Sequence, residues 1–107
     1  MRSVRTLPDY EAGLTKLLSC PEATAYRAEI VERLLTGQAI PQQFHDHALH
    51  GGKLKGKRSV IVGWLPLDPE EPDGEAITFL LLYQLTPEAL ILVDLDQHDD
   101  LYAAYRP

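Results

Sequence analysis

The alternation of apolar and polar positions divides the chain into segments of different period. Val4–Leu7 is a short segment closed by Pro8 and predicts a first strand. Asp9 is placed to cap a helix whose apolar positions Ala12, Leu14, Leu17 and Leu18 have helical spacing. Pro21 restricts the residue before it, so that helix is expected to end by Cys20. A second helix is predicted over 22–36. Tyr26, Ile30 and Leu34 form one stripe, and Ala23, Val31 and Leu35 broaden it. Gly37 followed by Pro41 signals its stop. Almost nothing joins the two helices, so they are expected to pair as an antiparallel hairpin.

Residues 38–52 show no period and read as a loop that carries side chains. Residues 58–65 are rich in Val, Ile and Trp and predict a strand. A connecting loop with three prolines and four acids follows at 66–74. Residues 76–85 (AITFLLLYQL) are nearly all apolar and predict a central strand. Thr86-Pro87-Glu88 predicts a tight turn, and 89–95 an antiparallel partner strand. A helical turn is expected within 98–105. The order β-α-α-β-β-β gives an α+β domain, with a helical hairpin packed on a small, mostly antiparallel twisted sheet. No repeat or linker divides it, so residues 1–107 are expected to form one domain.

Composition adds a compartment and a puzzle. At 45% hydrophobic and 24% charged, the chain is a globular sequence, not a disordered one. Its longest apolar stretch, 76–85, is about half of a membrane span, so no membrane partner is expected. No basic segment precedes an apolar run at the start, so no signal peptide is expected. With a single cysteine, Cys20, no internal disulfide can form, and a reducing cytoplasm is the expected setting. The net charge of −6 argues against nucleic acid if taken as an average. The average hides a split. Residues 1–58 hold nine Lys/Arg and six carboxylates, a balance of +3; residues 59–107 stand at −9. Four cations (Lys53, Lys55, Lys57, Arg58) fall within six positions. Acids gather at 68–75 and 94–100, where charge runs are ordinarily solvated loops.

The histidines are the unusual chemistry. His45, Asp46, His47 and His50 fall within six residues, and His98 stands in a second acidic segment. Imidazole and carboxylate can ligate zinc or nickel, but H-x-H-x2-H matches no specific metal signature. Histidine also titrates near neutrality, and two from separate loops can flank one scissile bond as base and acid. Cys20, before a proline at a helix junction, reads as a small buried residue. Gly51-Gly52 and Gly56 match no phosphate-binding loop.

In order, HDHALHG at 45–51, GKR at 56–58, FLLLYQ at 79–84 and QHDDLY at 97–102 resemble the YafQ branch of the RelE-like toxins, the mRNA-cleaving members of bacterial type II toxin–antitoxin pairs. The resemblance covers nearly the whole chain and rests on the order of short motifs. It implies a RelE-like fold and an endoribonuclease of mRNA, acting on the ribosome with no cofactor and restrained by a cognate antitoxin. It assigns a catalytic set: His47 and His98 as the acid–base histidines, Arg58, the arginine opening the first long strand, as a stabiliser of the charge developing on phosphate, and Tyr102, the terminal aromatic, to position a base or the phosphate. It places Lys53, Lys55 and Lys57 as contacts to RNA phosphate and Phe79 as a base-stacking ring. The chain departs from the pattern at three places. Ile61 stands where the family commonly has a further histidine, Thr78-Phe79 replaces Asp-Trp, and 65–75 looks like an insertion. A catalytically degenerate relative that binds an antitoxin-like partner without cleaving RNA is the alternative.

Overall fold

The computed structural model describes residues 3–18, 21–50, 52–66, 70–71, 74, 76–97 and 101. Strand β1 (Ser3–Thr6) leads into helix α1 (Pro8–Leu17), and helix α2 (Pro21–Thr36) follows. A 3-10 turn at Gln42–Phe44, strand β2 (His47–Ala48) and a second 3-10 turn at Gly52–Leu54 occupy the segment read as loop. Strands β3 (Arg58–Pro66), β4 (Ala76–Leu85) and β5 (Ala89–Gln97) complete a five-stranded sheet in the order β1-β5-β4-β3-β2. Among the described strands only the β1–β5 pair is parallel. The apolar run of β4 is central, as strands covered on both faces should be.

Two local expectations change. Leu7, not Asp9, is the N-cap of α1; Pro8 takes the first helical position, where its missing N–H costs nothing, and Asp9 lies in the first turn. The buried face of α1 is Tyr10, Gly13 and Leu17, while Ala12 is exposed and Leu18, at the C-cap, is 71% exposed. The helix is rotated because Gly13 sits directly on β5: a Cβ there would lie 1.8 Å from the Leu95 carbonyl oxygen. Helix α2 follows its predicted stripe, burying Ala23, Ile30 and Leu34 with Tyr26, Val31 and Leu35 beside them. It ends as foreseen. Gly37 is left-handed (φ 77°) and the Gln38 N–H reaches the Arg33 carbonyl at 2.9 Å.

The sheet is apolar on both faces. One side carries Val60, Val62, Phe79, Leu81, Tyr83, Leu90, Leu92 and Leu95 against the helices. The other carries Leu80, Leu82 and Val93, with Ile61 and Ile91 beside them. Three residues from outside the long strands cover this second side: Leu49, Leu54 and Leu101, the last 1% exposed. Between β4 and β5, Thr86 closes the tight turn, its hydroxyl accepting the Ala89 N–H at 2.9 Å. Strand β5 runs two residues past its expected end. The acidic run therefore begins inside the sheet: Asp94 is buried, and Asp96 pairs with Lys16 at 3.1 Å.

Candidate functional site

The His45–His47 segment hangs between the buried Phe44 and the edge strand β2. His45 ends the 3-10 turn in a left-handed conformation (φ 52°, ψ 44°), which few non-glycine residues adopt. Its carbonyl oxygen lies 2.7 Å from His47 Nδ1. A carbonyl only accepts, so Nδ1 carries the proton and Nε2 is the nitrogen left for other work. In the antiparallel β2–β3 pair, His47 faces Ser59 and Ala48 faces Arg58. Directly opposed residues share a face. His47 thus stands on the side of Ser59 and Ile61, the side that Leu49, Leu54 and Leu101 cover.

Asp46 turns the other way. Its Oδ1 accepts the Tyr83 hydroxyl at 2.5 Å and Arg58 Nε at 3.4 Å, and its Oδ2 accepts Arg58 Nη2 at 3.2 Å. Arg58 Nε also donates to the Tyr83 hydroxyl oxygen at 3.2 Å, closing a triangle. The bond to Asp46 raises the affinity of the Arg58 guanidinium for its proton, so it is cationic at every working pH. The Tyr83 phenol is pushed well above its usual value, first by burial and then by its bond to Asp46. It therefore stays a donor. An open cleft of about 530 Å³ adjoins the segment, lined by Ile40, Pro41, Gln42, His45, Asp46 and His47.

The predicted site residues fall into three groups. His47, Lys53 and Lys55 are exposed, the lysines on the turn that Leu54 anchors to the second side of the sheet. Lys57 donates Nζ to the Lys53 carbonyl at 2.7 Å and so braces that turn. Two expectations are corrected. Phe79 is 3% exposed in the core between sheet and helices, where β4 alternation sends every second side chain, and its ring cannot stack on a base. Arg58 lies on the face of Val60 and Val62, opposite His47, and its guanidinium is committed to Asp46 and Tyr83. His98, Tyr102 and Cys20 lie outside the described residues. Among the described residues no three His, Cys, Asp or Glu side chains converge as metal ligands.

Sequence reasoning named Asp46 only as a neighbour of histidines and gave Tyr83 no role. A signal for both was present. Tyr83 is a buried phenol in a nearly all apolar central strand and must find a partner.

The architecture is that of solved bacterial toxins. YafQ from E. coli strain BL21(DE3) superposes with a TM-score of 0.73 at 16% identity, over 95% of this chain and 99% of that one. A metal-bound toxin from Helicobacter pylori gives 0.70 at 25% identity, over 94% and 99%. An E. coli DinJ–YafQ complex gives 0.72 at 17% identity, over 95% and 99%. No curated protein matches. The chain thus has the small α+β fold of these solved proteins. Residues 3–103 match the model of YafQ, bacterial toxin of type II toxin–antitoxin system, and the chain belongs to that family.

Proposed function

We propose that this protein is an mRNA-cleaving endoribonuclease, acting on ribosome-bound message and silenced by a cognate antitoxin. The observation that carries the reading is the position of Leu101. It is buried in the same cluster as Leu49 and Leu54, which flank His47 and the exposed lysines. His98 is three residues from Leu101 and Tyr102 is one. Leu101 therefore brings its part of the chain to the face on which His47 stands, and His98 and Tyr102 are its near neighbours in sequence.

RNA carries its own nucleophile, so a base, an acid and cations suffice. The base takes the 2′-hydroxyl proton, the 2′-oxygen bonds to phosphorus, and the bond to the 5′-oxygen breaks as the acid protonates it. His47 and His98 fill these two roles. Lys53 and Lys55 offset the charge that builds on phosphate, and Tyr102 positions the nucleotide. The antitoxin reading follows from the family and from DinJ, the protein found with YafQ in its solved complex.

One observation favours a second reading, an antitoxin-binding relative that no longer cleaves. The sheet beside His47 is apolar and acidic rather than basic: Ile61 packs into the second cluster and Asp94 is buried. Inducible expression in bacteria separates the two. The wild type should arrest growth with cleaved mRNA, and His47→Ala and His98→Ala should both relieve it. Normal growth with intact mRNA under wild-type expression would leave only the second reading.

A further inference from the structure

The triangle of Asp46, Tyr83 and Arg58 has no part in the chemistry just described, and it sits one residue from His47. It joins three elements: the loop before β2, the first residue of β3 and the C-terminal part of β4. Tyr83 is 1% exposed and held by the core. Asp46 is half-buried, and its neighbours His45 and His47 are exposed. The loop has a reason to wander. His45 is in a conformation unfavourable to an L side chain, and β2 is two residues long. A carboxylate gripped by a buried phenol and a guanidinium fork offsets that tendency, because charge-assisted bonds are the strong ones.

We propose that Tyr83 and Arg58 are positioning residues that act through Asp46. By drawing the Asp46 carboxylate inward they fix the His45 carbonyl, and that carbonyl fixes the tautomer and direction of the His47 ring. The alternation His-Asp-His is then functional: the middle residue is the anchor and the outer ones are presented. The latch rests on the proposed function only for its effect on cleavage. Its effect on the His47 ring is independent of any activity.

The test uses the full chain with isotope-labelled histidine. Nitrogen chemical shifts of neutral His47 should show the proton mostly on Nδ1 in the wild type. Tyr83→Phe and Asp46→Ala should each move the population toward the Nε2-protonated form, with the fold intact by circular dichroism. In RNA cleavage, both variants should lower kcat by about 10-fold or more with KM nearly unchanged, as misplacement of a reacting group does. Arg58→Lys should restore part of the loss seen in Arg58→Ala. If Tyr83→Phe does not fold, Asp46→Ala on the surface loop carries the same expectation. An unchanged His47 tautomer in the folded variants overturns the latch. A wild type that cleaves no RNA yet shows the tautomer shift overturns the cleavage reading and keeps the latch.

Discussion

Tyr83 is the residue on which the local argument turns, and its phenol has a pH signature. Burial and the bond to Asp46 both raise its pKa above the usual value of about 10. As pH rises past 10, the unfolded chain releases this proton while the folded chain keeps it. The folded state then binds more protons, so stability falls with rising pH. Below pH 10 the contribution is fully present. Denaturant melts at pH 8 and at pH 10.5–11 should show a larger loss for the wild type than for Tyr83→Phe. The variant should be less stable at pH 8 by about 1.5–3 kcal/mol, the worth of a hydrogen bond to a charged group. Equal alkaline losses in the two proteins would mean that the phenol is not held in its protonated form. The Arg58–Asp46 ion pair alone, with 38% and 20% side-chain exposure, adds at most about 1 kcal/mol. The phenol makes the triangle more than a surface pair.

At the scale of elements, the sequence announces whatever its local period dictates. The strand at 76–85 and the stop of α2 at Gly37 are where pattern places them. The candidate histidine loop, too, is visible as a cluster of residue types. What is not visible are the features set by close approach. The α1 face looked like an ordinary leucine stripe, but Gly13 lets the helix backbone rest on Leu95 and turns Leu18 outward. Strand β2 is two residues long and exists only because β3 pairs with it. Phe79 and Arg58 were misread for the same reason: in a strand, side-chain direction depends on register with neighbours that a lone sequence does not supply. The glycine contact gives a sharp test. Ala is the better helix former by about 1 kcal/mol, yet Gly13→Ala should destabilise, because its methyl would meet backbone. A net loss of about 1–3 kcal/mol is expected. Each kcal/mol lowers the melting midpoint by about 4–8 °C in a domain of this size. Gly37→Ala meets no atom but is strained by its left-handed backbone (φ 77°), at a cost of about 1–2 kcal/mol. If Gly13→Ala melts at or above the wild type, α1 does not rest on β5 in this way.

Over the whole molecule, the charge of −6 averages two unlike halves, and under the proposed cleavage its distribution predicts how RNA would be held. Several carboxylates are paired within the chain, which leaves the net charge unchanged but places those charges: Asp46 with Arg58 and Tyr83, Asp96 with Lys16, Glu29 with Arg33. The cations also divide. Arg58 is committed to the loop and Lys57 to its turn, which leaves Lys53 and Lys55 as the exposed pair beside His47. Binding through two lysines should be weak and shallow in its salt dependence. Each phosphate contact with single-stranded RNA contributes about −0.7 to the slope of log K against log salt. A slope near −1.4 is therefore expected for a short RNA bound to His47→Ala, in which cleavage does not intervene. Adding Lys53→Ala or Lys55→Ala should each remove about 0.7 from that slope, whereas Lys57→Ala should leave it nearly unchanged and lower stability. A slope steeper than about −3 would require cations from elsewhere on the surface. Such a result would move the RNA path away from the 3-10 turn at Gly52–Leu54 and from the face that Leu101 covers.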